Sequence, residues 1–431
     1  MGLLFSAALL VRIGTALALD RRNASGGAGH EFADTQLYSK LALVIATGQP
    51  YSDGKRFVGR TPGYPLFLAG CYRLFGNSSV GARHAQAAVG AVSCVLLFLL
   101  VRQLVDRRAA WIAAGAAVVY PFAVFLSVVL LSEALFTALL LVQLLLFCWL
   151  LRSLTEGDSL SRLVVWSAVA GVIGAAATLV RPSWISATPF VSLLFLVCSP
   201  RQFRSDPSSI RNPSRRAGTI RNRSLLAAAS LFLAFLLGMS PWWVRNWRVT
   251  GHFVPTTLWV GASLYDGLNP QASGASDMRF MDRPEEFGLD PRLHEMNEWE
   301  QDQYLRRAAL DYARAQPGRV FWLAAVKLVR FWNPLPNAAE WQSWPLRIVS
   351  LVTCGPVLLL AVVGAWRLRR RVVVIVFLAG PVFYFCAVHL VFVSSIRYRE
   401  AAMLPVLGLA AVGWSALRSD VTDLSGVVRP N

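Results

Sequence analysis

The sequence has few charged residues and lacks the short motifs of nucleotide-dependent enzymes. Only 15% of its 431 residues are charged, whereas 55% are hydrophobic, and the mean hydropathy is +0.49. A soluble globular protein carries roughly 25% charged residues, so this apolar excess cannot be buried in one soluble core. No Walker motif, GxGxxG or GxSxG occurs, which disfavours an ATP-driven transporter and a serine hydrolase.

Cysteine and histidine are scarce and carry no metal-ligand spacing. The six cysteines include no CxxC or CxxxC pair, and most lie within apolar runs, where cysteine behaves as a small hydrophobic residue. The five histidines have no ligand spacing either. These absences argue against a disulfide framework and against a zinc site built on thiolates.

Acidic residues are also few. The chain has 24 Asp and Glu residues and 42 Lys and Arg residues, which gives a net charge of +18. Such basicity often indicates a nucleic-acid partner. Here the apolar excess argues against that interpretation, since an integral membrane protein with arginines concentrated in its loops accounts for both features. We therefore expect membrane lipids, and no nucleic acid, as partners.

Ten apolar runs approach the length that crosses a bilayer, which is about 20 residues in a helix. The first run carries Arg12 and lacks a basic leader, so an uncleaved span is favoured over a signal peptide. The pattern predicts an all-α integral membrane protein with about ten transmembrane helices, at residues 2–19, 80–104, 109–127, 129–151, 163–180, 183–198, 225–243, 346–366, 372–393 and 401–417.

Basic residues are concentrated in three connecting segments, 106–108, 199–224 and 367–371. Under the positive-inside rule these segments and both termini lie in the cytoplasm. Two long loops, 20–79 and 244–345, then face the periplasm of a bacterial inner membrane. We expect the chemistry of the protein to lie in these outer loops.

We expect one domain over residues 1–417 and a short cytoplasmic tail at 418–431. Within the outer loops, apolar patterning at 34–47, 63–75 and 317–332 predicts three helices. Each is too short or too charged to span a bilayer, so we expect it to lie in the interface plane.

Asp34, at the start of the first interfacial helix, is the leading candidate for chemistry. It follows Glu31 and precedes Lys55, Arg56 and Arg60 in the same loop. A carboxylate can act as a base on a hydroxyl group or hold a metal ion, and guanidinium groups can hold a phosphate. The alternative is that Asp34 only caps its helix and that the cations are solvated.

Further ionisable residues recur at the outer ends of the predicted spans, where a charge is costly and commonly functional. A single arginine there usually extends to the interface, whereas several on one side fit an anionic lipid headgroup better. These residues are Glu133, Arg181, Arg245, Arg397, Tyr398 and Arg399.

In order and placement, these residues resemble the motifs of GT-C membrane glycosyltransferases, in the protein O-mannosyltransferase and lipid A aminoarabinose transferase group of the family 39/83 type. The resemblance covers about residues 1–417. It rests on Asp34, Tyr38, Gly48, RTPGYPLFLAGCYRLFG at 60–76, Tyr120-Pro121, Ser132-Glu133, Arg181-Pro182, PWWVRNWRVTGHFVP at 241–255, KLVRFWNP at 327–334 and RYREAAMLP at 397–405.

The resemblance implies inverting transfer of a sugar from a polyprenyl-phosphate donor to a lipid, glycan or protein acceptor at the periplasmic face. Asp34 corresponds to the family's first-loop acid, which deprotonates the acceptor hydroxyl. Relatives often carry two adjacent acids, but Thr35 follows Asp34 here. Glu31 is therefore the candidate second acid, and the use of a divalent metal ion is left open.

The resemblance also implies that Arg60, Arg397 and Arg399 lie near the donor phosphate. The remaining candidates for phosphate or acceptor contacts are Lys55, Arg56, Glu133, Arg181, Arg245 and Tyr398.

Two other function classes stay open. A lipid-linked-sugar transporter or flippase should have polar or broken spans near the membrane midplane. An O-antigen ligase or polymerase would keep its chemistry in a late outer loop. The two long outer loops and the acid after the first span favour the glycosyltransferase.

Overall fold

The structure, a computed structural model, describes residues 1–24, 32–156, 158–197, 213–336 and 343–425. Within these ranges the regular structure is helical and contains no β-strand, which confirms the predicted all-α class. The α-helices are α1 (Gly2–Ala24), α2 (Ala33–Ala46), α3 (Gly63–Phe75), α4 (Ser79–Leu104), α5 (Arg107–Val119), α6 (Pro121–Leu126), α7 (Glu133–Glu156), α8 (Leu160–Val180), α9 (Ala187–Val197), α10 (Pro213–Thr250), α11 (Val260–Gly267), α12 (Glu298–Ala315), α13 (Pro317–Trp332), α14 (Trp344–Arg367), α15 (Val372–Val391), α16 (Ile396–Glu400) and α17 (Met403–Ser425).

The helices are those of a multi-pass membrane protein. The apolar segments Pro182–Leu196 and Met403–Arg418 are helical but shorter than a full span. The predicted run at 109–127 is interrupted at Tyr120, whose extended backbone precedes Pro121 and separates α5 from α6. Among the described residues, seven helices are long and apolar enough to cross a membrane: α1, α4, α7, α8, α14, α15 and the Arg221–Thr250 part of α10.

Small residues allow close approach of helices in the bundle. α14 lies against α17, and α8 lies against α10. A side chain at Gly364 would collide with the carbonyl group of Leu409, and one at Gly413 would collide with that of Leu360. Such crossings are a usual means of helix association in a bilayer, where van der Waals packing replaces the hydrophobic effect as the driving force.

Two of the basic turns lie together at one end of the bundle. Arg371, in the turn after α14, donates a hydrogen bond to the carbonyl of Leu104 at the end of α4 (2.8 Å). Arg152, near the end of α7, donates to the carbonyl of Gln103 in the same place (2.6 Å). Residues 199–212, which carry much of the predicted basic loop, lie outside the described residues.

At the other end of α4 and α8, the two long loops fold against each other. α2 packs on α3, which packs on α4 and α8. Gly63 starts α3 so close to α8 that a Cβ atom there would be 2.6 Å from the carbonyl carbon of Leu179. Glu298, at the start of α12, accepts hydrogen bonds from the amides of Phe57 (2.9 Å) and Val58 (3.0 Å). The segment between α2 and α3 is thereby fixed beside the end of α8.

The three short helices predicted in the outer loops are present as α2, α3 and α13. α13 turns an apolar stripe outward, in which Phe321, Trp322 and Val329 are exposed, while Lys327 on its opposite face is buried. α17 continues to Ser425, so the first part of the predicted tail is helical.

Candidate active site

Asp34 lies in the first turn of α2 and forms two ion pairs. Its Oδ1 atom is 3.3 Å from Nη2 of Arg60, and its Oδ2 atom is 3.0 Å from Nη1 of Arg397. The N-cap position of α2 is occupied by Phe32, so the interpretation of Asp34 as a mere helix cap is wrong. The Asp34 side chain is 30% exposed and is therefore partly accessible to solvent.

Arg397, on the short helix α16, joins Asp34 to a second carboxylate. Its Nε atom lies 2.7 Å from Oε1 of Glu133, the first residue of α7. Glu133 is 1% exposed and Arg397 is 21% exposed, so the carboxylate of this second pair is almost completely removed from solvent. Arg397 also lies over the ring of Phe32, 5.2 Å from its centroid. One guanidinium group thus connects the first outer loop to the start of α7.

Arg181, which follows α8, reaches the same carboxylate. Its Nη1 atom is 3.4 Å from Oε1 of Glu133, and its guanidinium group lies over the rings of Phe385 (5.2 Å) and Tyr398 (5.7 Å). Tyr398 in turn stacks on His389, with ring centroids 4.2 Å apart. These aromatic rings shield the cation from water and hold its plane in a fixed orientation.

The cluster of Asp34, Arg60, Glu133, Arg181 and Arg397 carries an excess of positive charge. Three guanidinium groups against two carboxylates leave 3 − 2 = +1. The Nε atom of Arg181 and the Oε2 atom of Glu133 are buried and have no hydrogen-bond partner among the residues that the structure describes. Buried polar groups are normally satisfied, and the Nε–H group of Arg181 is an unused donor whose hydrogen bond an anion can accept. The cluster is therefore suited to bind an anion.

The arginines keep Asp34 ionised. Burial works against its charge, but the positive charges and hydrogen bonds of Arg397 and Arg60 outweigh burial, so the pKa of the Asp34 carboxyl lies below its ordinary value. Burial also opposes the charge of Arg397, and Glu133 and Asp34 overcome this and raise the pKa of its guanidinium group. Asp34 is thus a carboxylate at neutral pH, but a weak base while both cations remain on it.

Arg60 and Arg56 extend from the first loop toward one tryptophan. Their guanidinium groups lie 4.9 Å and 4.2 Å from the ring centroid of Trp259. Tyr51 donates a hydrogen bond to the carbonyl of Arg60 (3.2 Å), and Arg56 donates to Gln301 (2.9 Å). Arg60 is thereby held against Asp34, whereas Arg56 is directed toward the second outer loop.

Three other predicted residues lie outside the cluster. Arg245 donates to the carbonyls of Phe57 (2.6 Å) and Tyr51 (2.7 Å), so its observed contacts support the first loop. Arg399 is fully buried and pairs with the adjacent Glu400. Lys55 is exposed. The structure therefore brings Arg397, but not Arg399, to Asp34.

The carboxylates do not form a metal site within the described ranges. No group of three Asp, Glu, His or Cys side chains comes together there. Asp34 and Glu133 both bind the Arg397 guanidinium group, whose charge disfavours a metal cation beside it. Glu31, the candidate second acid, lies outside the described residues.

Several residues that shape the site have no distinctive sequence signal. Phe32 covers Arg397, and Trp259 lies beneath Arg60. Glu298 fixes the first loop from more than 200 residues away in the sequence. Tryptophans in membrane proteins are usually interfacial, so the sequence could not indicate that Trp259 lies at the site. An acidic residue at the start of a helix such as α12 is likewise common.

The chain is similar to one family model and to several solved structures. Residues 59–209 match the family model described as dolichyl-phosphate-mannose-protein mannosyltransferase. No curated protein sequence matches the chain. The apo crystal structure of the Archaeoglobus fulgidus oligosaccharyltransferase is similar with a TM-score of 0.54 at 12% identity, over 99% of this chain and 52% of that one. The chain thus spans about half the length of that enzyme.

Two further structures are similar at lower scores. ArnT from Cupriavidus metallidurans bound to undecaprenyl phosphate gives a TM-score of 0.46 at 14% identity, over 97% of this chain and 79% of that one. The A. fulgidus oligosaccharyltransferase AglB in complex with an inhibitory peptide and a dolichol-phosphate gives 0.49 at 12% identity, over 92% and 48%. The chain has the GT-C fold of membrane glycosyltransferases, as its motifs predicted.

Proposed function

We propose that the protein is an inverting glycosyltransferase that moves a sugar from a polyprenyl-phosphate donor to a hydroxyl group of a lipid, glycan or protein acceptor. The observation that carries this proposal is the ion-paired cluster in which partly exposed Asp34 faces Arg60 and Arg397. It combines a base for the acceptor with cations for a phosphate leaving group. The family model matched by residues 59–209 is also named for a dolichyl-phosphate sugar donor.

In the proposed reaction, Asp34 takes the proton of the acceptor hydroxyl as its oxygen attacks the anomeric carbon of the sugar. The new carbon–oxygen bond forms on one face while the bond to the donor phosphate breaks on the other, which inverts the anomeric centre. The electron pair of the broken bond leaves on the polyprenyl phosphate. Arg397 and Arg181 stabilise the negative charge that develops there by contact, and Arg60 adds its nearby positive charge, since fixed cations in a water-poor site do so better than water.

The same proposal places the site at the periplasmic face of a bacterial inner membrane, with both termini in the cytoplasm. This placement is supported by the distance between the basic turns and the Asp34 cluster in the bundle. The basic turns around Leu104 and Arg371 pack together, whereas the Asp34 cluster lies beyond the ends of α8 and α15. Basic turns are retained on the cytoplasmic side.

The face can be tested by cysteine labelling in intact cells. Ser273→Cys in the second outer loop should react with a membrane-impermeant maleimide, and Arg370→Cys in the basic turn should react only after lysis. Both positions are exposed, and the five described native cysteines are buried. The opposite labelling pattern would place the site in the cytoplasm.

The activity itself is tested with purified protein, a radiolabelled polyprenyl-phosphate sugar and membrane extract as the acceptor source. Transfer of label should require Asp34, and the product linkage should have the opposite anomeric configuration to the donor. A product that retains the configuration would overturn the inverting mechanism. Equal transfer by Asp34→Asn would remove Asp34 as the base.

A further inference from the structure

Arg397 is shared by two carboxylates whose surroundings differ. Its Nε atom binds Oε1 of Glu133 at 2.7 Å, and its Nη1 atom binds Oδ2 of Asp34 at 3.0 Å. Glu133 is 1% exposed, whereas the Asp34 side chain is 30% exposed. Separating Glu133 from Arg397 would leave a buried carboxylate without its partner and without water, whereas water can reach the partly exposed Asp34 carboxylate when it leaves Arg397.

Glu133 is also the point at which two arginines meet. Oε1 lies 2.7 Å from Nε of Arg397 and 3.4 Å from Nη1 of Arg181, so these two nitrogen atoms are at most 2.7 + 3.4 = 6.1 Å apart. Two cations repel each other at this distance unless an anion lies between them. Within the described part of the chain, the buried Nε atom of Arg181 has no hydrogen-bond partner. Glu133 thus holds two guanidinium groups together and leaves donor capacity unused.

Given the proposed function, we infer that Glu133 is a positioning residue that keeps Arg397 and Arg181 in place while Arg397 exchanges Asp34 for the donor phosphate. Donor binding thereby releases the base. Before the donor binds, each carboxylate oxygen of Asp34 faces a cation. After the exchange Asp34 retains Arg60 and can accept the proton of an acceptor hydroxyl.

The exchange predicts that Asp34 lowers the affinity of the site for phosphate. A cluster in which Arg397 kept both carboxylates would not have this property. Asp34 and the donor phosphate compete for the same guanidinium group, so removing the charge of Asp34 should tighten phosphate binding even though it abolishes transfer. Glu133 does not compete, because it remains bound to Arg397 throughout. Removing its charge should therefore weaken phosphate binding, since the two arginines would no longer be held together.

The test measures the Kd of undecaprenyl phosphate for the full-length protein in lipid nanodiscs at constant ionic strength. We expect Asp34→Asn to bind about fivefold more tightly than the wild type, the size of effect typical of a partly exposed ion pair. Glu133→Gln should bind at least about tenfold more weakly. Asp311→Asn is the matched control, because Asp311 pairs with Arg314 on the exposed face of α12, and its Kd should not change.

Equal or weaker binding by Asp34→Asn would overturn the exchange. Tighter binding by Glu133→Gln would identify Glu133 as a second competing anion and overturn its positioning role. Thermal unfolding of each variant checks that it is folded. The Kd of Asp34→Asn compared with that of the wild type tests the exchange even if Glu133→Gln does not fold. If the wild type fails to bind undecaprenyl phosphate at all, the proposed function fails, and this inference with it.

Discussion

Arg397 and Arg399 are two residues apart on one short helix, yet their surroundings are different. Arg399 is fully buried, pairs with Glu400 at 3.0 Å and donates to the carbonyls of Phe331 (2.9 Å) and Asn333 (3.2 Å). Those carbonyls belong to the end of α13 and the residue that follows it, where a helix leaves acceptors without intrahelical partners. Arg399 therefore ties α13 to α16 and stabilises the fold.

Arg397 instead divides its hydrogen bonds between two side chains, and one of them is open to solvent. Arg399 is held by backbone carbonyls and a buried carboxylate, whereas Arg397 can exchange the partly exposed carboxylate of Asp34 for another anion. The hydrogen-bond partners of the two arginines, more than their burial, therefore distinguish Arg397, which belongs to the site, from Arg399, which stabilises the fold.

The largest effect is expected from Asp34→Asn, which retains the shape of the side chain but removes its basicity. We expect kcat to fall by about 10³-fold, since general-base catalysis typically contributes 10²–10⁴-fold. Membrane insertion and thermal stability should stay close to wild type, because the side chain is partly exposed. Sugar transfer by the purified variant measures this, with Asp311→Asn as the matched control, and transfer at the wild-type rate would contradict the assignment.

Lysine substitutions at the two arginines should separate activity from stability. Arg397→Lys keeps one charge but cannot bridge Asp34 and Glu133 with the same planar geometry, so kcat/KM should fall by about 10²-fold with little loss of stability. Arg399→Lys should lower the free energy of unfolding by about 2–3 kcal/mol, because buried carbonyls lose their donors, and leave kcat near wild type. Transfer assays and thermal unfolding in the same detergent measure both, and a reversed pattern would refute the contrast.

The pH dependence of transfer should move when Arg60 is removed. Since the arginines hold the pKa of Asp34 below its ordinary value, activity is lost only when the pH falls through this lowered pKa and the carboxylate is protonated. Arg60→Gln removes one of the two cations, so the pKa rises and the acid limb of the kcat/KM profile shifts to higher pH. An acid limb that does not shift would show that another group controls it.

The smallest effect is expected at Lys55, which lies in the same loop as Arg60 but is exposed. We expect Lys55→Ala to change kcat/KM by less than about twofold, in line with the small contribution of solvated surface charges. A much larger loss, measured in the transfer assay, would extend the phosphate site beyond the cluster described above.

The sequence predicted most of the fold because apolar length and composition determine which segments form helices in a membrane protein. It also predicted the residues of the cluster, since each lies at the end of an apolar segment or in the first loop, where an ionisable side chain is costly and commonly functional. Asp34, Arg60 and Arg397 lie far apart in the sequence, and the fold brings them together.

The sequence could not indicate the direction in which individual side chains point. The motif containing Arg397 and Arg399 could not indicate that only one of them reaches Asp34, because the turn of a short helix decides which way each side chain points. Arg12 is another example, since a single arginine in a span usually extends to the interface. It is instead buried and donates to the carbonyl of Ala117 (3.1 Å) near the end of α5, where the break before Pro121 leaves acceptors free.

The most direct test of the central claim is a structure of the protein in nanodiscs with undecaprenyl phosphate bound. We predict that the phosphate contacts Arg397 and Arg181, that Glu133 keeps its bond to Arg397, and that Asp34 is separated from Arg397 and retains Arg60. A phosphate that contacts none of the three arginines of the cluster, with the Asp34–Arg397 pair intact, would contradict the account.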